Sequence, residues 1–259
     1  VGSEMCIRDS YSCGINSKGQ LGTGDLEKKQ SFTRVNLPKK FSSISPGHSD
    51  FCVGLAEDGS LWSWGSNSAG QLGISKEIKQ VSIPTQIPNT QKFIQVSSGH
   101  QFALALDEDG HVWGFGLNSF GQLGLGDNEN RNTPTMNEHL SDISFISSGI
   151  YHALCLDSHG DLWSFGYNSH GELGIGNLDA RNIPSKVKNV DHITQISSGY
   201  HHNLVLDSQS RVWSFGQSAY GQLGHEDTQH RVEPTVIQNL ENISQVLCGG
   251  NPPAGCHRR

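Results

Sequence analysis

The chain has 259 residues, of which 34% are hydrophobic and 31 are glycines, and its formal net charge is −7. This length can bury a core without a metal or disulfide staple, and the glycine content favours short strands and tight turns over long apolar helices. The acidic balance disfavours direct binding to DNA or RNA, and no apolar run approaches the roughly 20 residues that span a bilayer.

A tetrapeptide recurs along the chain and sets its period. GQLG or GELG begins at Gly19, Gly70, Gly121, Gly171 and Gly221, and its leucines are Leu21, Leu72, Leu123, Leu173 and Leu223, with spacings of 51, 51, 50 and 50 residues. Two further markers keep this register, namely SSG with its variants and a W-x-F-G or W-x-W-G segment that contains Trp62, Trp113, Trp163 or Trp213. Three markers in register predict a tandem repeat over residues 11–250.

Each period consists of strand-like and turn-like segments. In the fourth period a loose strand at 185–190 precedes strand-like runs at Ile193–Ser198, His202–Asp207 and 211–216. Polar residues followed by glycine at the turns are typical of hairpins, and no 3.6-residue periodicity indicates helices. The pattern predicts an all-β fold, a β-propeller with four short antiparallel strands in each blade.

The strand count predicts an incomplete propeller. Complete four-strand units are expected around residues 34–65, 84–116, 134–166 and 184–216. Residues 11–14 are expected to form the last strand of a preceding blade, and residues 236–247 the first two strands of a following one. A proline is expected at the start of the first strand of each unit, where a missing N–H costs least, at Pro84, Pro134, Pro184 and Pro234.

Both ends depart from the repeat. Residues 1–10, VGSEMCIRDS, fit no repeat position and are predicted to be a non-native or disordered tail of the kind that adapter read-through produces. After residue 250 the repeat predicts H-x-x-A-L-x-L, but residues 251–259 read NPPAGCHRR. Because two adjacent prolines would break a central strand, these residues are predicted to be an aberrant or truncated tail.

The combined motif resembles the repeat of the regulator of chromosome condensation family. G-x-N-x-x-G-Q-L-G follows the W-x-F-G segment and precedes S-S-G-x-x-H-x-L-x-L-D, over about residues 11–250. The resemblance implies a seven-bladed propeller for a full domain and a non-catalytic scaffold for protein–protein interaction. It also leaves two alternatives, guanine-nucleotide exchange on a Ran-like small GTPase, and the propeller part of a larger ubiquitin ligase or kinase. The family includes an ultraviolet-B photoreceptor, but its G-W-R-H-T motif is absent here, so light sensing is not predicted.

Basic residues recur in the loop after the tetrapeptide. Lys29, Arg131, Arg181 and Arg231 each lie eight residues beyond the motif leucine, and three repeats place an aspartate four residues beyond it, at Asp25, Asp127 and Asp227. One interpretation is a local ion pair that fixes the loop and contributes roughly 0–1 kcal/mol. The other is a ring of bases that holds an acidic protein partner, which makes these four bases candidate partner-binding residues.

The remaining polar and aromatic residues have structural interpretations. The four motif tryptophans share a sheet face with the following aromatic residue and are expected to pack against the neighbouring blade. His152 and His202 hold one repeat position, which indicates a scaffold role, and no HExxH motif or histidine pair with a carboxylate at ligand spacing predicts a metal. No catalytic or cofactor-binding residue is predicted.

The six cysteines form no CxxC pair and match no zinc-binding spacing. We expect free thiols that pack as small hydrophobic residues. Free thiols are typical of a reducing compartment, so the sequence predicts an intracellular protein, cytoplasmic or nuclear.

Overall fold

The computed structural model describes residues 10–250 and the backbone of residues 254–258. These residues form twenty β-strands, arranged as four four-stranded antiparallel sheets between two two-stranded sheets. The predicted all-β architecture, with four complete blades and partial ones, is confirmed. Among the described residues, no helix is long and apolar enough to cross a lipid bilayer.

The strands follow the chain in order, four to each complete sheet. The first partial sheet contains β1 (Ser10–Gly14) and β2 (Lys29–Val35). Sheet I contains β3 (Phe41–Pro46), β4 (Phe51–Ala56), β5 (Leu61–Ser66) and β6 (Gln80–Gln86). Sheet II contains β7 (Phe93–Ser98), β8 (Phe102–Asp107), β9 (Val112–Gly116) and β10 (Arg131–Met136).

The second half of the array repeats this arrangement. Sheet III contains β11 (Ile143–Ser148), β12 (His152–Asp157), β13 (Leu162–Gly166) and β14 (Arg181–Lys186). Sheet IV contains β15 (Ile193–Ser198), β16 (His202–Asp207), β17 (Val212–Gly216) and β18 (Arg231–Val236). The last partial sheet contains β19 (Ile243–Cys248) and β20 (Ala254–Arg258).

The predicted assignment of the outermost strand was wrong. The loose strand that precedes each SSG marker does not open a unit, because it pairs with the W-x-F-G strand before it; in sheet III, Gly166 pairs with Arg181. The four recurrent prolines therefore lie in the outer edge strands β6, β10, β14 and β18, beside a register shift in each ladder. An edge strand tolerates the missing N–H, since that side forms no ladder.

The same shift corrects the two partial units. β1 is followed by its own partner β2, so residues 11–14 are not the last strand of their sheet. Val236 ends β18 of sheet IV, and the next sheet begins only at Ile243. Within the two predicted tails, Ser10 begins β1, and residues 254–258 pair with β19. The other tail residues, 1–9, 251–253 and 259, lie outside the described part of the chain.

The core lies between neighbouring sheets. Each sheet buries a strand pair whose side chains meet those of the next sheet, as Leu104, Val112 and Leu123 of sheet II meet Ile143, Ala153 and Phe165 of sheet III. Burial of an aliphatic or aromatic side chain contributes about 1.5–3 kcal/mol, so each interface between neighbouring sheets stabilises the array. The aromatic residues just before the glycine of the W-x-F-G or W-x-W-G motif are among the most buried, namely Trp64, Phe115, Phe165 and Phe215.

The first strands of neighbouring sheets contact one another. Serines of the SSG marker connect them: the Ser148 N–H donates to Ser97 Oγ at 2.8 Å, and the Ser198 N–H donates to Ser147 Oγ at 2.9 Å. Gln95 of sheet II adds a bidentate contact, since its amide donates to and accepts from the backbone of Ile146, both at 2.9 Å. Phe145 replaces this glutamine in sheet III. A cavity of about 540 Å³ lies between strands β7, β11, β15 and β19.

Candidate functional site

The loops that follow the W-x-F-G strands all lie at one end of the sheets, which we call the GQLG face. A buried asparagine organises each of the first four loops. The Leu123 N–H donates to Asn118 Oδ1 at 2.9 Å, and Asn118 Nδ2 donates to the Asp127 carbonyl at 3.0 Å. The same backbone contact recurs at Asn16, Asn67 and Asn168, and the fifth repeat has Ser218 at this position.

Each of the first four loops rests on the outer strand of the following sheet. The Gly176 N–H donates to the carbonyl of Val232 at 2.9 Å, and a Cβ placed on Gly171 would lie 2.6 Å from the Arg231 carbonyl. Gly171 also has a φ of +86°, a conformation that side chains other than glycine rarely adopt. The motif glycine is therefore required both by its own backbone and by this close approach.

The four candidate bases each occupy the first residue of an outer strand, so the array distributes them around its rim. Three of them bind the loop carboxylate of their own repeat: Lys29 Nζ lies 2.6 Å from Asp25, Arg131 lies 2.5 Å from Asp127, and Arg231 lies 2.6 Å from Asp227. Arg181 lies 3.7 Å from Asp179.

The hydrogen bond from Arg131, together with the Glu129 N–H, holds the pKa of the Asp127 carboxyl below its usual range. This geometry is that of the local ion pair, and it leaves each base partly buried in its loop.

Aromatic and imidazole rings form a continuous strip across the GQLG face of sheets II, III and IV. Phe120 lies 5.3 Å from Tyr151 and 5.1 Å from Tyr167, and His170 lies 5.4 Å from His201, measured between ring centroids. We call this strip the aromatic band; its members are His100, Phe120, Tyr151, Tyr167, His170, His201 and His230. Phe120 is 38% exposed and His230 is exposed, so the band meets solvent.

One carboxylate lies beneath the band. Glu172, the acidic residue of GELG, is fully buried, and its Oε1 lies 2.9 Å from His201 Nδ1 and 3.1 Å from His170 Nδ1. Its Oε2 accepts the His170 N–H at 2.8 Å, and Asn203 Nδ2 donates to its carbonyl at 2.8 Å. His201 belongs to sheet IV, so this cluster joins sheets III and IV.

Burial raises the pKa of the Glu172 carboxyl, but the hydrogen bonds from His201 and the His170 N–H outweigh it. Its pKa therefore lies below the usual value, and Glu172 is an anion at neutral pH. Among the described residues, the side chains within hydrogen-bond distance of its Oε1 are the two imidazoles.

The motif tryptophans are positioned by aspartates at the opposite end of the sheets. Trp113, Trp163 and Trp213 are partly buried against the cores, and their Nε1 groups donate to Asp107, Asp157 and Asp207 at 2.8, 3.0 and 3.0 Å. Sheet I has Ala56 instead of the aspartate, and Trp62 donates to Ser60 at 3.0 Å.

His152 and His202 are both buried where sheets I and II have Phe51 and Phe102. His152 Nε2 lies 2.9 Å from Asn203 Oδ1 across the interface of sheets III and IV. Burial lowers the pKa of His202 to about 4, helped by His152 and His201. These imidazoles are therefore neutral parts of the core.

Sequence reasoning missed the aromatic band and the cluster around Glu172, because no linear spacing joins His170 to His201. One signal was present: GELG departs from GQLG in a single repeat, and it does so two residues after a histidine.

Comparison with known proteins agrees with this architecture. The sequence profile of the RCC1-like domain matches residues 7–254. The chain is 37% identical to the ultraviolet-B receptor UVR8 of Arabidopsis thaliana over 133 residues, which are 51% of this chain and 30% of that protein. It is 39% identical to the probable E3 ubiquitin-protein ligase HERC6 of Homo sapiens over 125 residues, or 44% and 12% of the two chains. The match to the RCC2 homolog of Xenopus laevis is 34% over 122 residues, or 44% and 23%.

Solved structures show the same fold. Human WBSCR16 superposes with a TM-score of 0.82 at 22% identity, covering 93% of this chain and 65% of that one. Yeast RCC1 (Prp20), in its complex with Kap60, superposes with a TM-score of 0.63 at 20% identity, covering 93% and 75%. The chain thus spans less than a third of each curated relative named above. With a profile match over nearly its whole length, the chain belongs to the RCC1-like domain family.

Proposed function

We propose that this chain is a protein–protein interaction scaffold that docks a protein partner on the aromatic band of its GQLG face. The observation that carries the proposal is the continuity of the band over three sheets, with ring centroids 5.1–6.4 Å apart from Phe120 to His201. Aromatic side chains are enriched at the centres of protein interfaces, because they bury a large area with few rotatable bonds.

The rest of the face supports the scaffold proposal over a site for polyanions. The loop bases already bind carboxylates of their own loops, and the formal net charge is −7. A nucleic-acid site requires a stripe of lysine or arginine side chains that are free to contact phosphates. The partner we propose is therefore a protein that contributes apolar and hydrogen-bonding groups, rather than DNA or RNA.

The test compares two phenylalanines. Phe120→Ala removes an exposed ring from the band, and sheet I already has Ala69 at the equivalent position, so the fold should be retained. Phe32→Ala is the matched control, because Phe32 is 76% exposed on β2, away from the band. Partners captured from cell extract are quantified for the three proteins, and a partner so identified is purified and titrated calorimetrically.

We expect a partner whose affinity falls about 5–30-fold with Phe120→Ala and is unchanged with Phe32→Ala, a loss of about 1–2 kcal/mol that marks a contributing interface residue. A partner bound equally by all three proteins would reject the band as the docking site.

Guanine-nucleotide exchange is an alternative outcome of the same study. Acceleration of GDP release from Ran by the purified chain would replace the scaffold proposal with exchange. Two of the curated relatives are named probable E3 ubiquitin-protein ligases, but the matches cover 12% and 8% of their length, so ligase chemistry is not part of the proposal.

We also propose that the protein functions inside the cell, in the cytoplasm or the nucleus. The cysteines Cys13, Cys52 and Cys155 are free thiols. Burial raises the pKa of the Cys155 thiol and keeps it protonated, so it packs as a small hydrophobic residue. Free thiols that persist are typical of reducing compartments.

A further inference from the structure

Three side chains with metal-binding atoms converge at the interface of sheets III and IV. The Nδ1 atoms of His170 and His201 lie 3.1 and 2.9 Å from Glu172 Oε1, and the three atoms all lie within 4.8 Å of one another. His170 and Glu172 come from the loop after β13, whereas His201 comes from the loop before β16. The packing of two sheets creates the cluster.

The other repeats show that the fold does not need this set of residues. In the loop of sheet I and the start of sheet II, the equivalent residues are Ala69, Gln71 and Gln101. One repeat later, between sheets II and III, they are Phe120, Gln122 and Tyr151. The backbone contact is the same in each, since the N–H of residue 69, 120 or 170 donates to the side chain of residue 71, 122 or 172 at 2.8–2.9 Å. Only this repeat combines two imidazoles with a carboxylate among the three.

The spacing of the three atoms suits a small tetrahedral ion. An ion bound at about 2.0–2.1 Å by nitrogen and oxygen ligands places neighbouring ligand atoms roughly 3.3–3.4 Å apart. The two nitrogen–oxygen distances here are 2.9 and 3.1 Å, within a few tenths of an ångström of that spacing, and the two nitrogens lie within 4.8 Å of each other.

The surroundings hold the ligands in place and leave one side open. Glu172 Oε2 already accepts the His170 N–H, which leaves Oε1 for an ion, and Asn203 fixes the Glu172 backbone. Such supporting hydrogen bonds orient metal ligands. The carboxylate is fully buried, but the His170 and His201 side chains are 29% and 20% exposed, so an ion can enter from solvent and keep a water.

We propose that His170, Glu172 and His201 form a binding site for a divalent transition-metal ion, with Zn²⁺ as its occupant. Two imidazoles and one carboxylate with an open fourth position are a donor set that zinc uses, whereas Mg²⁺ and Ca²⁺ prefer oxygen ligands alone. The ion would join sheets III and IV through two imidazoles of the aromatic band. This inference is independent of the partner proposed above.

Other repeats of the chain provide the residues for a matched control. The triple variant His170→Ala, Glu172→Gln, His201→Gln installs the residues found at positions 69, 71 and 101, so the fold has already accommodated each of them. The single variant Glu172→Gln, which has the glutamine of positions 71, 122 and 222, provides a milder second test. Circular dichroism and thermal unfolding verify that each variant is folded.

The experiment titrates the chelator-treated, purified chain with Zn²⁺ by calorimetry and with Co²⁺ by visible absorption, where tetrahedral Co²⁺ absorbs strongly. We expect one ion per wild-type chain, a tetrahedral Co²⁺ spectrum that Zn²⁺ displaces, and loss of both in the triple variant. Glu172→Gln should weaken Zn²⁺ binding by more than the roughly 10–100-fold that loss of a supporting residue causes.

Two results would overturn the proposal. One is a wild-type chain that binds no Zn²⁺ at micromolar concentration. The other is a folded variant, triple or single, that binds Zn²⁺ as tightly as wild type, because the ion would then be held by some of the other histidines or cysteines. Neither result depends on the partner-binding experiment.

Discussion

The imidazole of His202 lies where the ring of Phe102 lies two repeats earlier, and both are fully buried at the start of the second strand of their sheets. Neither ring nitrogen of His202 has a hydrogen-bond partner among the described residues. A buried polar atom without a partner costs about 1–3 kcal/mol. His202→Phe should therefore raise the free energy of unfolding by about 1–2 kcal/mol at pH 8, measured by urea denaturation.

His159→Phe is the control for this change, since His159 lies exposed in a turn and its replacement should leave stability within about 0.5 kcal/mol. If His202→Phe destabilised the chain at pH 8, His202 would have to have a hydrogen-bond partner or a shape that phenylalanine cannot reproduce.

Asp157 is the main polar support of Trp163. It accepts the Trp163 Nε1–H at 3.0 Å and the N–H groups of His159 and Asp161 at 3.0 and 2.9 Å. Asp157→Ala leaves these donors without a partner and should cost about 2–3 kcal/mol of unfolding free energy. Adding Asp161→Ser places a hydroxyl at the position of Ser60, which accepts the Trp62 Nε1–H in sheet I, and it should restore part of that loss. A double variant no more stable than Asp157→Ala would show that the serine cannot replace the aspartate.

Acid should weaken the same contact. Burial raises the pKa of Asp157, but the hydrogen bonds from Trp163, Asp161 and His159 outweigh it, so its folded-state pKa lies below the usual 3.8. The stabilisation is therefore present above about pH 4 and is lost as pH falls through the folded-state pKa. Asp157→Asn should lose less unfolding free energy than wild type between pH 6 and pH 3, as measured by denaturant titrations at each pH. Parallel pH profiles would contradict this assignment.

Phe145→Gln tests the inner contacts between sheets. Gln95 bonds both backbone groups of Ile146 in the next sheet, and a glutamine at position 145 is placed to do the same to Ile196. Since Phe145 is 43% exposed and lines the cavity between the first strands, little apolar burial is lost, and two hydrogen bonds should add about 1 kcal/mol to stability. Phe145→Met removes the ring without adding hydrogen bonds and should not be stabilised. Equal stability of the two variants would contradict the expected contact.

Arg131 and Asp127 test the two interpretations of the loop bases. Because the pair lies at the protein surface, a double-mutant cycle with alanine should give a coupling of about 0–1 kcal/mol that falls as salt is added. Arg131→Ala should also leave the affinity for a docked partner unchanged, since the guanidinium is bound to its own loop at 2.5 Å. A tenfold loss of partner affinity would instead favour the ring of bases.

The repeat period was sufficient to predict the strands but not the membership of every strand. Turns and strand alternation are local, so the sequence predicts Ile193–Ser198 and His202–Asp207 within one sheet. The strand at Arg181–Lys186 follows a long loop and precedes a short one, which made it look like the start of a new unit. Its true partner is set by the ladder between Gly166 and Arg181, a contact that local patterns do not encode.

The aromatic band and the cluster at Glu172 depend on packing between sheets. Their members come from loops of three sheets, and each residue type alone is unremarkable in a surface loop. The useful signal was chemical: a carboxylate where the other repeats have an amide must meet a compensating group if it is buried. His201 provides that group from the next repeat.

The contact of the first four tetrapeptide loops with the following sheet also bears on the order in which the chain folds. During synthesis, the loop that begins at Gly171 has no support until the carbonyls of Arg231 and Val232 have left the ribosome. The loops at Gly70 and Gly121 wait in the same way for Arg131 and Asn182. We therefore expect the nascent chain to become ordered from its amino end, with the ordered part about one repeat behind the growing end.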